Sequence, residues 1–336
     1  MRELINRTGF LLTTSVDGHL KLWKKQEAGI EFVKHYRASL KAIVGVTASD
    51  DGSLFATISE GGEGRVFDVV NFGTSRSPVL EGNTTDLTDM INILKFPYTP
   101  KACCWIHMPG AGQTLLAVSD VDSSTIRIYD GRGDGKPLYE LDKLHRAPVH
   151  LIAYTSKYDC VISADEDGFI EYWQPNEPWG LPSVPGLWQY KSATDLYQFK
   201  KTKSIASSVT FSPNSSHFVT MSLPSRAVHV FNFLTGKLTR TYDESLTAAA
   251  EMQQAGTAVF TLDDMDFGRR LATERALDTS ESGPGGALRT ANAVWDESGN
   301  FIIYPTLLGI KGTSHVQHPA DGSGQHRDQQ SVTSTW

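Results

Sequence analysis

His145, Ser163 and Asp167 are the three residue types of a hydrolase triad, and Trp173 follows closely. In such a triad an imidazole takes the hydroxyl proton and a carboxylate orients the ring. The same groups, once buried, would each need a hydrogen-bond partner, and the tryptophan supplies an indole N–H as a fourth member. The set is therefore read as structural, and no catalytic residue is expected. Three cysteines, Cys103, Cys104 and Cys160, include no C-x-x-C pair and read as free buried thiols. The stretch GRGDGKP (131–137) has closely spaced glycines but no helix after them to receive a phosphate, so it reads as a loop. His315, His318 and His326 lie in a polar tail where nothing could orient metal ligands. No metal and no cofactor are expected.

Composition narrows the classes further. The chain has 336 residues, is 40% hydrophobic and carries a formal net charge of −7. That composition predicts a packed core and argues against a backbone grip on nucleic acid, although a local basic patch stays open. No apolar run is long enough for a membrane span, and the N-terminal residues MRELINRTGF lack a secretory core. Proteins are thus the expected partners, with no direct nucleic acid, membrane or small-molecule substrate. The compartment expected is reducing, with no secretion.

The elements that must position these residues recur along the chain. SVDGHLKLWKK (15–25) joins an Asp-Gly turn to a short run closed by Trp23. Phe67, Tyr129, Trp173 and Phe231 close similar runs, at gaps of 44, 62, 44 and 58 residues. Polar or proline-rich stretches, GTSRSPVLEGNTTDLT (73–88) and PNEPWGLPSVPG (175–186), account for the two long gaps as inserted loops. The best copy, HRAPVHLIAYTSKYDCVISADEDGFIEYW (145–173), reads as three strands and two turns. Short strands at a period near 44 predict an all-β propeller, whose flat blades bury both faces by stacking.

These repeats resemble WD40 blades. His145, Ser163, Asp167 and Trp173 match the His–Ser–Asp–Trp relay of that repeat, and Ser15, Asp17 and Trp23 match three of its members in the first copy, with Ser39 at the fourth place. A closer resemblance runs through most of residues 10–311. It is carried by LKLWKKQEAGIEFVKHYRASL, IYDGRGDGKPLYELDKLH, TDLYQF, TGKLTRTYDESL, MDFGRRLATER and LLGIK. Together they are similar to the propeller of the cyclophilin-type peptidyl-prolyl isomerases that carry WD repeats. That resemblance implies a seven-bladed ring, a C-terminal cyclophilin domain, spliceosomal protein partners and a nuclear location. Five to six blades of the seven are recognisable, over 1–312, with a loop insertion at 73–89 and, at 313–336, a polar tail without strand pattern that is expected to be disordered. Thr313 falls where the last blade should have its closing aromatic, and no cyclophilin residues follow to be matched. The chain is read as a non-enzymatic interaction scaffold linked to pre-mRNA splicing; the alternative is a fragment of an isomerase without its catalytic domain.

One stretch breaks the β pattern, a helical insertion at 244–278. Asp243 is the expected N-cap of its first helix, and DDMDFGRRLATERAL reads as its second. In that helix Phe267 and Leu271 share a face, Arg270 and Glu274 form an i,i+4 pair, and Arg269, Arg270 and Arg275 are candidate partner contacts.

Overall fold

Tight turns set the strands. Gly18 has φ +84°, and a Cβ there would lie 2.0 Å from the Ser39 carbonyl oxygen. Only glycine fits that turn, which folds β2 (Phe10–Thr14) onto β3 (His19–Gln26). The computed structural model describes residues 2–5, 9–69, 90–256, 262–279, 291–315 and 332–334. Among them are six antiparallel sheets, each a blade of consecutive strands.

Blade 1 adds β1 (Arg2–Ile5) and β4 (Gly29–Arg37) to that hairpin. Blade 2 is β5 (Ile43–Ala48), β6 (Leu54–Ser59), β7 (Glu63–Asp68) and β8 (Met90–Lys95). Blade 3 is β9 (Pro100–Trp105), β10 (Leu115–Asp120), β11 (Ile126–Asp130) and β12 (Pro137–Leu141). Blade 4 has β13 (Val149–Thr155), β14 (Cys160–Asp165) and β15 (Ile170–Trp173). A short helix, α1 (Gln198–Thr202), precedes blade 5, in which β16 (Ile205–Ala206) and β17 (Thr210–Phe211) both pair with β18 (His217–Leu223). β19 (Ala227–Asn232) and β20 (Leu238–Asp243) complete that blade. The insertion holds α2 (Leu246–Ala255) and α3 (Asp264–Thr279). Blade 6 is β21 (Val294–Trp295), β22 (Phe301–Thr306), β23 (Gly309–Ser314) and β24 (Val332–Ser334).

The all-β, propeller-like class read from the repeats is present. By contacts the chain divides into two compact units, Met1–Glu166 with Ile170–Pro182, and Asp167–Phe169 with Ser183–Trp336. The span expected as one propeller domain, 1–312, falls across both.

Stacking of blades explains why the inner strands are apolar on both faces. In the first unit β6 is buried at every position. Leu54, Ala56 and Ile58 join a cluster with Leu116, Val118 and Tyr129 of blade 3. Phe55, between them, turns to Leu12, Leu20 and Leu22 of blade 1. The two-residue side-chain period of a strand makes this division automatic. β10 repeats it, with Leu116 and Val118 facing blade 2 and Ala117 packed in the cluster that includes Val149, Val161 and Trp173 of blade 4. In the second unit, Val219, Val228 and Val230 of blade 5 pack against Ile302 and Tyr304 of blade 6.

Several expectations change in detail. The proline-rich loop 175–186 forms no strand, as read, and its Trp179 stacks on Tyr139 of β12 at 4.7 Å. The loop insertion at 73–89 lies outside the described residues. Helix α2 is capped by Ser245, whose side chain accepts from the Ala248 N–H, rather than by Asp243, which is the last residue of β20. Thr313 and Ser314, placed at the head of the tail, belong to β23, and Val332–Ser334 adds a further strand beside it. The stretch 316–331 between them lies outside the described residues. Thr313 sits opposite Ile302, the register position that the closing aromatics take in other blades, as Trp173 does opposite Val161.

Candidate functional site

The polar cluster of blade 4 is a closed circuit. Trp173 Nε1–H donates to Ser163 Oγ at 3.1 Å. Ser163 Oγ lies 2.7 Å from His145 Nε2, and His145 Nδ1 lies 3.0 Å from Asp165 Oδ2. A carboxylate accepts, so Nδ1 carries a hydrogen, and Nε2 is the ring atom left to the serine hydroxyl. Strand β14 supplies Ser163 and Asp165, β15 supplies Trp173, and the loop before β13 supplies His145. The order serine–histidine–carboxylate is that of a triad, but all three residues are buried, with the His145 and Asp165 side chains at 0% and 1% exposure. A nucleophile needs substrate access, so this circuit holds a blade together.

The acid in the circuit is Asp165. Asp167, expected there, stands in the turn between β14 and β15, where its side chain is 53% exposed and pairs with Lys200 at 3.2 Å. The strand register explains the correction. Asp165 is the last residue of β14, paired with Val149, and its carboxylate points into the packed blade; two residues on, the chain has left the sheet.

Blade 1 shows a matching shift. Trp23 Nε1–H donates to Thr13 Oγ1 at 3.0 Å, over the same ten-residue separation that links Trp173 to Ser163. Thr13, not Ser15, is thus the hydroxyl of this blade, and Ser15 holds the place of Asp165. Ser15 bonds to Asp17 instead, and this bond together with the His19 backbone N–H holds the Asp17 carboxyl below its usual range. His19 Nδ1 also approaches Asp17 at 2.9 Å. Ser39 is buried, and its Oγ accepts from the Lys41 N–H, outside any relay. Of the predicted set, the structure joins His145, Ser163 and Trp173, while Ser15, Asp17 and Trp23 divide between a turn and a Thr13 bond. Thr13 and Asp165 are the members that residue matching missed; counting ten and eight residues back from each tryptophan finds both.

The remaining candidates are ordered into the fold. Cys160 is buried, whereas Cys103 and Cys104 are half-buried; burial pushes the Cys104 thiol up to about 12 and raises Cys160 further. Thiols held this high carry little thiolate at neutral pH. The GRGDGKP loop joins β11 to β12 and is pinned by Asn92, whose amide donates to the carbonyls of Gly131 and Gly133. His315 packs between Trp295 and His217, and burial lowers it to about 4; His318 and His326 lie outside the described residues. Among the described residues, no group of three His, Cys, Asp or Glu side chains is placed to hold a metal, and no helix is long and apolar enough to cross a membrane.

Helix α3 buries Phe267 and half-buries Leu271, as its pattern suggests. Glu274 pairs with Arg226 of blade 5 at 2.6 Å rather than with Arg270. Arg226 is the nearly buried cation, 9% exposed, and gains more from the carboxylate than a solvated arginine on the same helix would. Arg270 donates to the Leu308 carbonyl, and Arg269 approaches Asp266. With a 100° turn per residue, Arg269, Arg270 and Arg275 point in three directions and form no single charged face.

No family model matches the chain. Individual proteins do. It is 50% identical to the peptidyl-prolyl cis-trans isomerase cyp15 of Rhizopus delemar over 307 residues, 91% of this chain and 45% of that protein. It is 43% identical to the human peptidylprolyl isomerase domain and WD repeat-containing protein 1 over 306 residues, 91% of this chain and 43% of that one. The Arabidopsis thaliana peptidyl-prolyl cis-trans isomerase CYP71 is 38% identical over 307 residues, again 91% of this chain and 45% of the relative. The chain thus spans less than half the length of these relatives. Six blade-like sheets, two of them with an indole–hydroxyl bond at one spacing, agree with the likeness. The chain is a WD-repeat region of the peptidyl-prolyl isomerase and WD repeat family.

Proposed function

We propose that this chain is a protein-interaction scaffold that acts in the nucleus, beside the pre-mRNA splicing machinery. One observation carries the scaffold reading. The cluster with the chemistry of a triad, His145–Ser163–Asp165, is sealed inside a blade and completed by Trp173. Side chains spent on rigidity leave the loops between strands as the variable surface, and loops held by a rigid frame are where binding concentrates. The nuclear and splicing setting rests on the resemblance to WD-repeat cyclophilins. Its partners are then spliceosomal proteins. The test is co-purification of tagged full chain from nuclear extract, followed by measurement of spliceosomal small nuclear RNAs. Enrichment above an unrelated propeller supports the reading; background levels overturn it.

The relatives' names favour a second reading, that the chain is a portion of a peptidyl-prolyl isomerase. Isomerisation of a proline peptide by the chain is expected to equal the uncatalysed rate. Clear acceleration would make the chain an enzyme in its own right.

A further inference from the structure

The second unit carries a basic aromatic patch that neither the repeat nor the relay explains. Gly168 has φ +81°, and a Cβ there would lie 2.7 Å from the Ser204 carbonyl oxygen. The Asp167–Phe169 turn is thereby pressed against the α1 segment. Phe199 and Leu196, fully buried, root that segment, and Phe199 packs on His229 of blade 5. On this rigid base Phe169 and Tyr197 meet edge to face at 6.1 Å. Lys191 Nζ lies over both rings, 5.5 and 4.9 Å from their centres, and Lys200 Nζ lies over Phe169 at 5.0 Å. Lys201 and Lys203 are exposed beside them, and Tyr190 is 72% exposed at the margin. Residues 187–204 set Lys191, Lys200, Lys201 and Lys203 against the single acid Asp195, and Asp167 and Asp195 pair with Lys200 and Lys237, so this segment is locally basic on a chain of net charge −7.

We propose that this patch docks an acidic peptide segment of a partner protein. The proposal rests on the scaffold reading above and gives it a partner chemistry. Aromatic rings hold the Lys191 and Lys200 ammoniums in place, which lowers the side-chain entropy lost when carboxylates arrive. Exposed Tyr190 offers an apolar ledge for one large side chain of the peptide. Single-stranded RNA is the less suited polyanion. Its bases need open ring faces to stack on, and here ammoniums cover the faces of Phe169 and Tyr197. The net negative charge of the chain also opposes a long phosphate backbone more than a short acidic segment.

The experiment is fluorescence anisotropy with the full chain and a short labelled peptide rich in Asp and Glu around one Phe, beside a Lys-rich counterpart and an oligouridine RNA. The acidic peptide is expected to bind, and to weaken as salt rises from roughly 50 to 300 mM. The double substitution Lys191→Glu, Lys200→Glu is expected to weaken it by about tenfold or more, with the thermal midpoint near that of wild type. Phe169→Leu keeps the bulk but not the ring, and is expected to weaken it less. No binding of the acidic peptide, or binding indifferent to charge reversal in a folded variant, overturns the proposal. So does oligouridine binding that is tighter than the peptide and lost in the same variant. Absent peptide binding with small nuclear RNA co-purification retained sinks this patch and leaves the scaffold reading standing. Peptide binding intact with co-purification at background does the reverse.

Discussion

In blade 4 a single hydroxyl, Ser163 Oγ, serves both an indole and an imidazole. Ser163→Ala strands the Trp173 N–H and the Nε2 of His145, and His145→Ala takes away the buried ring that faces the Asp165 carboxyl. Each is expected to cost about 2–4 kcal/mol in urea unfolding, while Asp167→Asn, at an exposed pair, costs under about 1 kcal/mol. If Asp167→Asn proves as damaging as His145→Ala, the acid of the circuit has been wrongly assigned. Three imidazoles contribute to the response to acid. Burial lowers His229 and His315 to about 4, and it lowers His217 as well. The unfolded chain then takes up these protons first, so their contribution is whole above about pH 6.5 and is lost as pH falls toward 4. Thermal midpoints of wild type are expected to drop over that window, and His229→Phe to flatten the drop. Residue letters alone misled at two points of the relay. Ser15 looked like the counterpart of Ser163, and Asp167 like the acid beside a glycine turn. Strand geometry fixes a count of residues back from the indole, and Thr13 meets that count with a different letter.

Turns and caps decide which elements form. Gly18→Ala must move the Ser39 backbone and hold a side chain at positive φ, for an expected loss of about 3 kcal/mol or more. Gly9 has a similar φ of +79° with open space around it, so Gly9→Ala is expected to cost only about 1 kcal/mol by the same melting assay. At α3, Glu274→Ala removes the carboxylate that answers Arg226. Hydrogen exchange along α3 is expected to rise, with a stability loss of about 2 kcal/mol; unchanged protection would show that the pair does not hold the helix. Helices α2 and α3 were legible because they break a period-two pattern. The cap was displaced by two residues, since β20 continues through Asp243 before the chain can turn. The Arg270–Glu274 pair failed because spacing along one helix says nothing of a nearly buried cation arriving from another element.

Across the whole molecule, the repeat was the most legible feature, because blades that stack within a unit must present apolar groups to one another. Leu54 and Phe55 are adjacent in sequence yet belong to different interblade cores. Leu54→Ala and Phe55→Ala are each expected to lower a single shared midpoint for the first unit, seen alike by tryptophan emission and circular dichroism. Separate midpoints would mean that the blades melt one by one. Less legible was what happens where the closing residue lacks an indole. Ser119 stands ten residues before Tyr129, but Leu116 rather than Leu115 or Ala117 faces that tyrosine, because the turn after β10 is one residue longer than in blade 4. Ser119 is thereby turned to the opposite face. There it accepts from the Ala102 N–H and donates to the Val149 carbonyl of the following blade. The blades are consequently not interchangeable cassettes. Shuffling them in a chimera would keep every strand and every turn, yet lose a clasp whose two halves were cut for adjacent places in the order.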